Sequence, residues 1–331
     1  MPGIKALRKL QIGKETTAGT PVAATTIWRG EGVGQDTREV TFPAEDVGIL
    51  GGIDRAYTAK LGAEVSFDET PATFQQLPYI LEAGIATETP TQDGAGTGYI
   101  YEYLFPTTAQ NTPRTYTIEH GDDQQAEEIE YAHVSEFSIT GNAGEAVNVS
   151  ATWQGRQSTT TSFTGGLSVP DVEEILFGTG ALYIDDTGTF PATTQKSNTL
   201  IGMELSVTTG MQAVYTADNL YFSFVKNVMP EIMLNITFEH DSTAVAEIAA
   251  FRAGTARSIR LLFEGSAFTT GGTAYDDHTL IIDLVGKWES FEGLGEQDGN
   301  DIVTGTLRCR YNATAGALGK ITVVNELSSL T

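Results

Sequence analysis

The chain has 331 residues, 40% of them hydrophobic, and a formal net charge of −24. That length suits two domains or one large β domain, and the hydrophobic fraction argues against disorder. No apolar run approaches the 18 residues of a membrane span, and the excess of carboxylates excludes a surface that wraps phosphates.

The start, Met1-Pro2-Gly3-Ile4-Lys5, lacks the apolar stretch of a secretory signal. The single cysteine, Cys309, leaves no intrachain disulfide and points to cytosolic synthesis. The first predicted strand is Leu10-Gln11-Ile12, running into a Thr/Gly/Pro turn that ends at Pro21. Gly13-Lys14 imitates a phosphate-binding loop, but the upstream glycine is missing. Glu15 follows the lysine, where a carboxylate repels phosphate.

Segment 40–60 reads as a long loop carrying Phe42, Ile49, Leu50 and Ile53. Residues 61–67 then alternate apolar and polar, as a half-buried strand does. A first helix is predicted after Pro71, with Phe74, Leu77 and Leu81 on one face. Pro78 either begins that helix or kinks it. Segment 86–113 is rich in Thr, Gly and Pro. The carboxylates and His120 of 119–130 read as a solvated turn between strands.

Alternation returns at 147–153, 203–207 and 232–238. Between the last two lies a second loop, 208–220, with Met211, Val214 and Tyr215. A second helix is capped by Asp241 or Ser242, turns Val245, Ile248 and Phe251 to one side, and stops at Gly254. Residues 298–301, Asp-Gly-Asn-Asp, suit a hairpin turn. The strand pattern then continues from Val303 through Leu307 and Cys309 to Tyr311, making Cys309 a core thiol.

The same plan occurs twice. Leu10-Gln11-Ile12 resembles Leu182-Tyr183-Ile184, Phe67 aligns with Phe238, Ala83-Gly84 with Ala253-Gly254, and 147–153 with 303–309. The offsets are 172, 171, 170 and 156, in unbroken order, and 86–113 accounts for the final drop. Residues 1–160 carry 22 acidic and 10 basic residues and 161–331 carry 21 and 9, so each half is −12. This predicts an internal duplication, with domains 1–160 and 161–331. Each domain is mainly β with one short helix.

No residues stand out as catalytic, metal-binding or cofactor-binding. The four histidines, 120, 133, 240 and 278, lack zinc spacing. The carboxylates of 119–130 fit no calcium loop. A hydrolase using them is one alternative reading; an acidic β-sandwich adhesin or carbohydrate-binding module is another.

The run "IGKETTAGTPVAAT" near the start, followed by "SFDETPATFQQLPYILEAG" at 66–84, resembles the tail tube proteins of long-tailed bacteriophages. The resemblance is best over the first 160 residues. It implies two tandem β-sandwich or barrel domains in a structural virion subunit, made in the host bacterial cytoplasm. Such subunits join inner sheets into a barrel around the DNA and stack rings through an N-terminal arm and a long loop. A duplicated chain forms trimeric, pseudo-hexameric rings. Phe42, Ile49, Leu50, Ile53, Met211, Val214 and Tyr215 become candidate interface residues, and Glu64 and Asn235 candidate lumen residues. The partners implied are further copies of the chain and tape-measure, tail-tip and terminator proteins. DNA passes through without specific binding, and no cofactor is expected.

Overall fold

Alternating sequences become antiparallel strands here because each can bury one face and leave the other wet. The computed structural model describes residues 3–331. Of its residues, 49% are in strands and 8% are helical, so the fold is mainly β.

In the first half the elements are β1 (Lys9–Lys14), β2 (Thr26–Ile27), β3 (Gly32–Asp36), β4 (Glu39–Thr41), β5 (Tyr57–Lys60) and β6 (Ala63–Pro71). They continue with α1 (Leu77–Gly84), β7 (Thr91–Gln92), β8 (Tyr99–Leu104), β9 (Tyr116–Gly121), β10 (Ala126–Asn142), β11 (Asn148–Gly155) and β12 (Ser158–Thr161). The second half opens with β13 (Gly180–Asp186), β14 (Gln195–Lys196), β15 (Leu200–Thr208), β16 (Met211–Val214), β17 (Phe224–Asn227) and β18 (Glu231–Glu239). It ends with α2 (Ser242–Ala253), β19 (Ala256–Ala267), β20 (Asp277–Phe291), β21 (Gly295–Gln297), β22 (Asn300–Cys309) and β23 (Gly319–Asn325).

The pairing order repeats. In the first half β1 pairs with β9, β9 with β10, β10 with β11, β11 with β6 and β6 with β3. In the second, β13 pairs with β19, β19 with β20, β20 with β22, β22 with β18 and β18 with β15. In each half one long strand, β10 or β20, serves two sheets. Its N-terminal part lies in an outer sheet, and beyond a bulge it enters an inner one. The register shifts fall at Val134/Glu136 and Trp288/Ser290, and bulges are where strands change sheets.

The inner sheets are continuous. The C-terminal part of β10 pairs with β15, from Glu136↔Thr208 to Asn142↔Gly202. One eight-stranded sheet results, in the order β3-β6-β11-β10-β15-β18-β22-β20. The ladders form an open, branched network and do not close into a barrel. A single apolar core runs beneath it, with Phe67, Tyr116, Trp153, Phe238 and Phe263 fully buried.

Several expectations need correction. Pro71 ends strand β6, and the first helix starts at Leu77 with Pro78 in its first turn, where a missing N–H costs nothing. Asp241 caps α2, accepting from Thr243 N–H at 2.8 Å and Ala244 N–H at 3.0 Å, and Gly254 ends it at φ 65°. Val245, however, is exposed, and the buried side of α2 is Ala244, Glu247 and Ala250. Glu247 tolerates burial because Arg257 Nε and Trp288 Nε1 each donate to it at 2.9 Å.

Segment 86–113, a Thr/Gly/Pro-rich stretch in sequence, is built into the sheet. Its strand β8 pairs with β23, so the first half adds a strand to the outer sheet of the second. Tyr101 and Tyr103 are buried there, donating to the carbonyls of Leu327 at 2.6 Å and Pro78 at 3.2 Å. The solvated turn is confined to residues 122–125, while Glu119, His120 and Glu130 are buried.

The opening stretch is held by Glu15. This carboxylate is buried and accepts from Gly19 N–H at 2.7 Å, Thr115 Oγ1 at 2.6 Å, Thr117 Oγ1 at 3.1 Å and Tyr131 N–H at 2.8 Å. It pins the turn to β9 and to the bend of β10. Residues 3–8 lie over the β9–β10 turn, where Ile4 N–H donates to Asp123. Met1 and Pro2 of the expected arm lie outside the described residues.

Candidate functional site

The outward face of the eight-stranded sheet is mainly polar, interrupted by Val33 and Met233. Glu64 lies between Gln35 and Gln154 in register, and Asn235 between Glu204 and Thr306. Both expected lumen residues therefore sit on one face, in different halves. Hydrogen bonds lace that face across the strands: Ser138 with Ser150 at 2.8 Å, Asn235 with Glu204 at 3.1 Å, Thr306 with Asn235 at 2.8 Å and Thr237 with Thr304 at 3.0 Å. Such cross-strand pairs stiffen a sheet. Its carboxylates include Glu64, Asp68, Glu136, Glu204 and Glu231. The cations Lys287 and Arg308 face each other, and Arg308 is held between Glu231 and Glu289. The face is net acidic.

Two hairpins leave this sheet at equivalent places, between β3 and β6 and between β15 and β18. The first, β4–β5, projects. Phe42, Ile49, Leu50 and Ile53 are all exposed, Leu50 completely. The second, β16–β17, folds onto the first half of the chain. Here the expectation of exposed side chains fails for Met211, which is buried, because Gly210 turns the chain back under the sheet edge. Val214 is half-buried. Tyr215 is partly exposed and lies under the Lys60 ammonium, 4.5 Å from its ring centre.

The clamp on this second hairpin was not foreseen from the sequence. Arg156, just after β11, donates from Nε to the carbonyl of Phe222 at 3.0 Å and from Nη2 to that of Ser223 at 2.7 Å. Its guanidinium also lies against the rings of Tyr131 and Tyr221. Phe222 is buried against Tyr131 and His133. Arg156 and Phe222 are 66 residues apart, so no local motif announces them.

Burial lowers the pKa of His133 to about 4. An unfolded chain recovers the ordinary value near 6.5 and binds the extra proton below it, so stability falls as pH drops from about 6.5 towards 4. The full penalty is about 3 kcal/mol. Thermal melts across this range should show that slope, and His133→Leu should reduce it, leaving the part that burial of His120 contributes with the same sign. An unchanged slope in the variant would refute the assignment.

The model of the phage tail tube protein family matches residues 5–318. The chain belongs to that family. No curated relative matches significantly. As a tail tube protein it is a structural component of the virion tail. Among the described residues of this tail tube protein, no helix is long and apolar enough to cross a membrane, and no cluster of His, Cys, Asp or Glu is arranged to hold a metal ion.

Proposed function

We propose that three chains of this tail tube protein close into a ring and that rings stack into the conduit for the genome. The observation that carries this reading is the open eight-stranded sheet, joined within the chain through β10 and β15 and unpaired at both ends. Unpaired sheet edges are templates for pairing, and ring closure removes them. The repeated pairing order supports two equivalent domains, 1–160 and 161–331, so that three chains present six. The acidic outward face then lines the channel, with Glu64 and Asn235 on it. A carboxylate wall keeps DNA centred and lets it slide, where a basic wall would hold it. Ile49, Leu50 and Ile53 stack ring upon ring, and Phe42 serves the contact between chains within a ring. The tape-measure, tail-tip and terminator proteins meet the lumen and the two ends.

An adhesin or carbohydrate-binding module is less well supported, because Trp28, Trp153 and Trp288 are all buried. Assembly distinguishes the readings. Three chains at −24 each repel at low salt, and screening relieves this. Raising salt from about 0.01 M to 0.5 M, which shortens the Debye length several-fold, should therefore promote rings and tubes by light scattering and electron microscopy. A monomer at every salt and high concentration would sink the proposal.

A further inference from the structure

Each half presents the same docking device, but only one of the two is occupied within the chain. The bulge at Val134/Glu136 in β10 corresponds to that at Trp288/Ser290 in β20. Glu136, Phe137 and Ser138 therefore correspond to Ser290, Phe291 and Glu292. On the other side of the joint, β15 and β3 occupy equivalent edges. Leu205 lies beyond Leu234 and Leu307 as Gly34 lies beyond Val65 and Trp153. Ser206 and Val207 thus correspond to Gln35 and Asp36. Residues 136–142 have β15 beside them, whereas the ladder with β19 ends at Lys287 and leaves that side of 288–292 unpaired.

The clamp is duplicated too. Arg156 N–H donates to the carbonyl of Glu130 at 3.0 Å, and Arg310 N–H to that of Val285 at 3.1 Å, at corresponding turns. Arg156 grips the hairpin that follows β15. Arg310 is exposed, with only Met229 Sδ at 3.8 Å. Beside it is a groove of about 500 Å³ lined by Met229, Pro230, Tyr311 and Leu318. Met229 and Tyr311 are 73% and 53% exposed, apolar surface that a monomer has no reason to show.

We infer that β3 of a second copy of this chain pairs with residues 288–292 in the register used internally by β15 and β10, setting Gln35 opposite Glu292 and the base of hairpin β4–β5 over Arg310. This rests on the ring reading above and names its lateral contact. Charge agrees with it. Thr209 N–H donates to the carbonyl of Ser135 at 2.9 Å in the internal joint. The corresponding residues are Arg38 and Glu289, opposite charges whose side chains are 50% and 45% exposed. Phe42, on the first limb of the hairpin, meets the apolar groove. The contact is head to tail, with different surfaces on the two partners, which is the kind that closes into rings.

The test is a cysteine pair, Gln35→Cys with Glu292→Cys, in otherwise intact protein. Cys309 is buried and does not interfere. Opposed residues of an antiparallel ladder lie within disulfide reach. Mild oxidation of assembled protein should give covalent dimers and trimers on a non-reducing gel, and neither single variant should. Ser138→Cys with Ser206→Cys, the internal counterpart, should close within one chain and shows that oxidation is competent. Tubes by microscopy without the interchain link would overturn this register and leave the tail tube reading standing. A chain that never forms rings would overturn both. Arg38→Glu should raise the concentration needed for assembly at least tenfold, and adding Glu289→Arg should restore it. A folded double variant that stays unassembled would overturn the Arg38–Glu289 contact.

Discussion

Trp153→Ala should cost about 3–5 kcal/mol of stability, the largest loss expected from one side chain in the core. Trp153 is fully buried on β11, between the ring of Phe67 at 5.2 Å and that of Tyr116 at 5.8 Å. Its indole N–H has no partner, so truncation strands no acceptor and the cost is transfer plus cavity. The cavity cannot collapse easily. Tyr116 donates to the buried carboxylate of Glu82, which also binds Lys14 Nζ at 2.8 Å. Those bonds hold the far wall in place. Burial and the neighbouring Glu82 charge keep the Tyr116 hydroxyl protonated well above its ordinary range. Urea unfolding should show a lower midpoint with an unchanged slope. Leu50→Ala, on a fully exposed side chain, should stay within about 0.5 kcal/mol of the parent. Equal losses in the two variants would contradict the packing described.

Replacing residues 46–55 by a short Gly-Ser turn should abolish tubes while leaving the chain folded. Every residue in that range is exposed. The ion pair lost is Arg55 with Glu45, a surface pair of the kind worth about 0–1 kcal/mol. What disappears is Ile49, Leu50 and Ile53, each able to contribute about 1.5–3 kcal/mol on full burial against another ring. Losing all three removes several powers of ten in ring-on-ring affinity, since about 1.4 kcal/mol is tenfold. Circular dichroism should be that of the parent, and micrographs should show single rings or monomers in place of tubes. Normal tubes from this variant would refute the stacking role. The outcome differs from that of Arg38→Glu, which acts within a ring.

Strand positions were legible because alternation is local. Residues 63–67, 147–153 and 232–238 carry their period whatever lies beside them, whereas β9 and β23, buried on both faces, show none. Caps were legible for the same reason, since Asp241 and Gly254 act on backbone within a turn of themselves. The match of Ile12 with Ile184 agrees with their registers against Ile118 and Ile259. Phe67, by contrast, corresponds in register to Ile236 and not to Phe238, and Trp153 to Leu307 and not to Cys309, because equivalence is set by the ladders that follow the β10 and β20 bulges and not by similarity of side chains.

Other features arise only in three dimensions. Glu15, Glu82, Glu119 and Glu247 look like any surface carboxylates, and the donors that make their burial tolerable come from other strands and loops, many of them distant in the chain. That β8 joins β23, and that β15 joins β10, follows from which sheet edges are left free once the chain folds. No single strand contains that information, because every strand offers the same backbone donors and acceptors. From the residues alone follow a β-rich, acidic chain and the places of its alternating strands. Which edges pair within the chain emerges only from the fold, which brings β10 beside β15 and β8 beside β23.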